Sequence, residues 1–213
     1  MSVYTDDLNL SELKEKAYVW VGKAFPSLLI EAVKENSEVS DSDDVPMLVA
    51  LNRAFDVPPQ MKPFMEFFRY PRTETETFQW LVEVVPQPED FLNWLMGEGL
   101  IVILDPEKGI MNALNKLHLE PHALLLSDEE QEGEENAEPG LTMISDKTAV
   151  DEEIKLTPIT RTLLFGFPDS SIEIAIHETA AKNQVSLQRV VDELLKNLSI
   201  WLRDEFAFLL YVE

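Results

Sequence analysis

Residues 127–140 read SDEEQEGEENAEPG, and no compact core can hold them. From Asp128 to Glu153 there are eleven carboxylates against the single Lys147, with Gly133, Pro139 and Gly140 interspersed and no apolar periodicity before Leu141. Like charges this close repel, and the stretch has too little apolar surface to offset the entropy of ordering it. Whatever cores the chain forms must therefore be built on either side of it. The expected organisation is a mixed α/β domain over 1–126, an acidic flexible linker over 127–154 and a C-terminal domain over 155–213. Two readings of the tract remain open. It is a solvated tether, or it docks on a basic partner through Asp128, Glu129, Glu130, Glu132, Glu134, Glu135 and Glu138.

The tract intensifies a bias of the whole chain. Lys and Arg number 17 and Asp and Glu 40, for a net charge of −23. Such a field repels phosphate backbones and anionic membrane surfaces, so neither direct nucleic-acid binding nor membrane binding is expected. It favours a protein partner with a basic surface, including one that otherwise grips nucleic acid. Apolar residues make up 45%, enough for real cores in 213 residues. There are no cysteines, which excludes disulfides, thiolate metal sites and cysteine nucleophiles. MSVYTDDLNL has neither the basic nor the apolar region of a signal peptide, and no apolar run approaches the roughly 20 residues of a spanning helix. A cytoplasmic protein is the expectation.

Periodicity gives an α+β fold. LNLSELKEKAYVWVGKAF reads as a helix capped by Asn9, with Leu10, Leu13, Ala17, Val21 and Ala24 on one side and Pro26 ending it. SLLIEAVKEN reads as a second helix. PMLVALNRAF reads as a third, with Met47, Leu48, Leu51, Ala54 and Phe55 as its stripe. MKPFMEFFRY is a short apolar helix, and its Phe64, Phe67, Phe68 and Tyr70 serve as core or as an exposed docking patch. TETETFQWLVEVV alternates like a half-buried strand, with Phe78, Trp80, Val82 and Val84 on one side. Next come a helix over PEDFLNWLMGEG ended by Gly97 or Gly99, and a buried strand over LIVIL. A helix capped by Asp105 and a last strand over HALLL complete a small β-α-β-α-β unit.

From Lys155 to Lys196 basic and acidic side chains balance. TRTLLFGFPDSSIEIAIHETAAKNQVSLQRVVDELLKNL reads as strand, helix, turn, helix. Pro168 ends the strand, Ser170 and Glu173 form a capping box, Asn183 takes the left-handed turn and Ser186 caps the second helix. IEIAIH also alternates, so a strand is its rival. Leu187, Val190, Val191, Leu194, Leu198, Trp201 and Leu202 form a long stripe. The layout resembles the ribbon-helix-helix fold of small DNA-binding repressors and antitoxins, over about 40 residues of pattern. The resemblance implies an intertwined homodimer through the C-terminal helices and a transcriptional regulator or antitoxin. The turn KNQVS lacks the family's Gly, and RTLLFGF offers the major groove only Arg161.

Catalytic chemistry finds little support. His118 and His122 have metal-pair spacing only if a helix aligns them, and Pro121 opposes that. Asp105 follows a strand as a ligand-binding carboxylate would, but it is equally a helix cap. DSDD lacks the Gly and closing Glu of a calcium loop, and GEG at 97–99 has no Gly-Lys-Ser/Thr after it. The sequence thus assigns no catalytic residue, no metal ligand and no cofactor. The expected function is that of a non-enzymatic, acidic interaction or regulatory protein, in one form a nucleic-acid mimic. A structural subunit of a larger assembly is the further alternative.

Overall fold

The computed structural model describes residues 8–25, 47–50, 53–56, 59–122, 124–125, 140–142, 153–167 and 169–212. The fold is α+β, with antiparallel sheets. It forms two compact units. One takes Glu15–Ala113 with Leu209–Tyr211, and the other takes the chain up to Lys14 with Leu114–Phe208 and Val212. The composition boundaries at 126 and 155 both fall inside the second of these, and the expected 1–126 domain is cut at Lys14 and at Ala113.

The Glu15–Ala113 unit begins with β1 (Ala17–Trp20) where a helix was expected. Only Leu10–Glu12, in the other unit, is helical, as one 3-10 turn; Asn9 does cap it, its Oδ1 accepting from Ser11 N–H at 3.1 Å. All four residues of β1 are buried. A strand covered on both sides shows no alternation, and the aromatic and β-branched run Tyr18-Val19-Trp20 suits a pleated sheet. The third expected helix is also extended. β2 (Lys23–Phe25), β3 (Met47–Ala50) and β4 (Arg53–Asp56) form an antiparallel sheet in that order. Ala50 pairs with Arg53 and Met47 with Asp56. The expected helix over SLLIEAVKEN lies outside the described residues.

α1 (Lys62–Phe68) matches expectation, with Pro63 in its first turn. After β5 (Arg72–Thr73), the expected strand over 73–85 is instead α2 (Glu74–Val84). Its start is a capping box. Thr73 Oγ1 accepts from Glu76 N–H at 3.2 Å, and Glu76 Oε2 accepts from Thr73 N–H at 3.0 Å. Thr77 and Leu81, four apart, face the core, while Val82 and Val84 are exposed. Helical burial thus overrides the alternation of Phe78, Trp80, Val82 and Val84. α3 (Pro88–Gly97) and β6 (Ile101–Leu104) match expectation. Between them Gly99, at φ 69°, closes a Schellman turn. Its N–H donates to Met96 O at 3.0 Å, and Leu100 N–H donates to Leu95 O at 2.9 Å.

The sheet order is β5-β1-β6, and β1 runs antiparallel to both neighbours. The expected β-α-β-α-β succession is therefore absent from this stretch, because its first strand is α2. Helices α1 to α3 cover one face of the sheet. Tyr18, Trp20, Phe68, Leu81, Leu92, Leu95, Leu100 and Ile101 form the core between them. The helix expected after Asp105 shrinks to a turn and the single-turn α4 (Met111–Leu114).

In the other unit, β7 (Leu117–Pro121) is followed by β8 (Leu124–Leu125), β9 (Gly140–Thr142) and β10 (Glu153–Lys155). The last three form an antiparallel sheet in the order β10-β9-β8. The 127–154 segment thus contributes strand residues at 140–142 and 153–154. α5 (Pro158–Phe165) replaces the strand expected over 159–167, which is also the ribbon of the ribbon-helix-helix pattern. Thr157 caps it, Oγ1 accepting from Thr160 N–H at 3.2 Å, and Pro158 starts it. Buried Thr160, Thr162, Leu163 and Leu164 set a helical rather than an alternating pattern.

α6 (Ile172–Asn183) settles IEIAIH as helix. Its cap is Ser171, not Ser170, and the left-handed residue is Gln184 at φ 55°, not Asn183, whose side chain instead donates to Thr179 O at 2.9 Å. α7 (Leu187–Arg203) is capped by Ser186 as expected, then β11 (Ala207–Tyr211) pairs with β7. α7 packs on α5, α6 and the Leu10–Glu12 turn, and buried Ser199 donates to Leu8 O at 2.7 Å. Of its apolar stripe, Val190, Leu194, Leu198, Trp201 and Leu202 are buried, while Val191 is half-buried and Leu187 exposed. Among the described residues no helix is long and apolar enough to cross a membrane.

Candidate functional site

The seven carboxylates assigned to partner binding, Asp128, Glu129, Glu130, Glu132, Glu134, Glu135 and Glu138, lie outside the described residues, as does DSDD at 41–44. The folded parts hold the other candidates.

His118 and His122 are not on a helix. β7 is extended, so alternate residues share a side. His118 Nε2 lies 3.8 Å from Glu120 Oε2, and the His122 ring sits 5.2 Å from that of Phe208. Among the described residues no group of three or more His, Asp or Glu is placed to hold a metal ion. Nearby, Leu119, Leu163, Phe167, Ser170, Ile172, Ala175 and Leu194 line a depression with about 10 Å³ of free space, the scale of one water.

Asp105 is a cap, but of a turn. Its Oδ1 accepts from Glu107 N–H at 3.0 Å and Lys108 N–H at 3.4 Å, and Lys108 Nζ lies 3.5 Å from Oδ2. Burial alone pushes its pKa up. The two N–H groups and the lysine together outweigh that, so the carboxyl is held below its ordinary value. Asp105 follows an antiparallel strand, so the strand-end crevice of a parallel sheet does not arise here.

At the β5 edge, Tyr18 Oη donates to Glu74 Oε1 at 3.2 Å, and Lys16 Nζ lies 3.7 Å from the same oxygen. Burial, reinforced by Glu74 and Asp105, pushes the Tyr18 hydroxyl up to about 12. The fold thus favours neutral Tyr18. Its contribution is complete below the unfolded value near 10 and is lost as pH rises through the folded value. The urea midpoint is therefore expected to fall between pH 10 and 12, and Tyr18→Phe to flatten that fall. An unchanged slope in Tyr18→Phe would assign the alkaline loss elsewhere.

The aromatic run divides. Phe68 is fully buried, while Phe64 and Phe67 are half-buried and continue into α2 and α3. The Phe67 ring stacks on Trp80 at 4.0 Å and 9°. Trp80 meets Phe64 edge-on at 5.3 Å, Phe64 meets Phe91 at 4.5 Å, and Phe91 meets Trp94 at 5.7 Å. This ladder runs from the core to the surface, where Trp94 is 46% exposed. Asp90 and Glu98 stand four residues to either side of Trp94, one helical turn away in each direction. Gly97, three residues on, borders open space: a Cβ there would meet nothing within 4 Å. The exposed side chains of Glu83, Glu89, Asp90 and Glu98 have no ion-pair or hydrogen-bond partner among the described residues.

The α3 surface escaped the sequence reading, although its signal is present. Leu92 and Leu95 mark the buried side of PEDFLNWLMGEG, which leaves Asp90, Trp94 and Glu98 in register on the other. No family model matches the chain, and neither the curated proteins nor the solved structures contain a match to it.

Proposed function

We propose that the chain is a non-enzymatic, acidic protein-interaction or regulatory protein that occupies the basic, nucleic-acid-binding surface of a partner protein. The observation that carries this reading is the excess of 40 carboxylates over 17 basic side chains. The carboxylates on α2 and the α3 segment that have no partner among the described residues support it: they stand on a folded surface, where they would substitute for phosphates. Rigid placement lowers the entropy cost of binding relative to a flexible polyanion. Charge of this density also speeds encounter with a basic partner and makes the complex salt-sensitive.

The test immobilises the full chain and challenges it with cell proteins previously retained on a nucleic-acid column. Specific retention is expected near 0.1 M salt, with release by added DNA or RNA and by a few tenths molar salt. Retention indifferent to both salt and polyanion would overturn the mimic.

A further inference from the structure

We infer that the Trp94 face of α3 is a docking site for a basic amphipathic helix of a partner protein, with an arginine or lysine of that helix over the Trp94 indole. The inference rests on the proposed acidic interaction function and locates it in the folded part of the chain. A tryptophan left 46% exposed is available for contact, and its ring lies against Phe91, which in turn packs on Phe64 and through it on Trp80. Such rigid aromatic anchors dominate interfaces, because little side-chain entropy is lost when they are covered.

Charge identifies the occupant. Asp90 and Glu98 bracket the indole one turn above and one below, so a cation on its face would meet carboxylates on both sides. A second copy of a chain with net charge −23 would bring like charges together, and an anionic lipid surface would be repelled. Gly97 adds an independent observation. Glycine in a helix is unfavourable relative to alanine, the left-handed position of this turn belongs to Gly99, and a side chain at 97 would project into free space. Among the described residues nothing calls for glycine at 97. An incoming helix that must approach beside Trp94 does call for it, since small residues permit close backbone approach.

The probe is a 16-residue amphipathic peptide of Leu, Ala and Arg, measured by fluorescence anisotropy against the full chain in low salt. Its counterpart with Glu replacing Arg is the control. The Arg peptide is expected to bind and the Glu peptide not. Trp94→Ala should weaken binding about tenfold, the Asp90→Asn/Glu98→Gln pair several-fold, and Gly97→Leu comparably to Trp94→Ala. Gly97→Ala should keep the fold at least as stable as the parent, so Gly97→Leu reports on docking even if Trp94→Ala is poorly folded. In the parent chain the Trp94 indole N–H resonance should shift on titration.

Equal binding by parent, Trp94→Ala and Gly97→Leu would overturn the site while leaving the acidic function standing. No binding of the Arg peptide by the parent would overturn both. A Trp94-dependent dimer in sedimentation, or Trp94-dependent binding to phosphatidylserine vesicles, would reassign the face to a second copy or to a membrane.

Discussion

Trp201→Ala is expected to destabilise its unit by about 3–5 kcal/mol, the range for emptying a packed aromatic site. Trp201 is 1% exposed near the end of α7. It closes a buried stripe formed by Val190, Leu194, Leu195, Leu198 and Leu202, on the helix that packs against α5, α6 and the Leu10–Glu12 turn. Partial collapse of these neighbours sets where in the range the loss falls. Val191, on the same helix but only half-buried, should cost much less on truncation. Urea unfolding of the two variants, followed by far-UV circular dichroism, measures the difference. A loss under about 1 kcal/mol for Trp201→Ala would mean that α7 is not the keystone of its unit.

What the sequence made legible was mainly what helix ends and glycines encode. Ser186 ahead of α7, Pro88 starting α3, Gly99 closing it and the short apolar α1 all follow from local chemistry that tertiary contacts do not override. The misreadings have two causes. YVWV and MLVA each fit a helical stripe because apolar residues on both faces of a strand satisfy any period. FQWLVEV failed in the opposite sense: its alternation is real, but Thr73 and Glu76 were already a capping box. TRTLLFGF went the same way, since Thr157-Pro158 starts α5 one residue before the expected strand. In these last two segments the cap overrides the alternation.

The candidate surface was less legible than the fold. Net charge points to a basic partner, and it is densest over 127–140, so it does not single out α3. Composition does not tell a carboxylate beside an exposed indole from one in open solvent. Telling them apart requires knowing which side of α3 is buried, and that depends on α3 packing against β6 and α2. Arg72 was missed for a related reason. An arginine between Pro71 and Thr73 reads as an ordinary turn cation until β5 is seen to pair with β1.

Arg72→Ala is expected to cost about 3–6 kcal/mol, since hydrogen bonds from a charged group each contribute about 1.5–3 kcal/mol and at least two are lost together. Arg72 is 5% exposed. Its Nε donates to Phe67 O at 3.0 Å, and its Nη2 donates to the Tyr70 hydroxyl. The guanidinium also lies over two rings, with Cζ 4.8 Å from the centre of Phe67 and 4.0 Å from that of Tyr70. The planar fork satisfies both acceptors and packs between the rings at once, which a lysine ammonium does not reproduce. Arg72→Lys should therefore recover less than half of the loss. The consequence extends outward, because Phe67 is the ring on which Trp80 stacks, and Trp80 supports Phe64, Phe91 and Trp94 in turn. Under conditions where Arg72→Lys remains folded, its near-ultraviolet circular dichroism should lose aromatic intensity, and its affinity for the arginine peptide should drop several-fold without any change at the surface. A lysine variant with parental stability and spectrum would show that Arg72 fills space at this position and that the ladder stands without it.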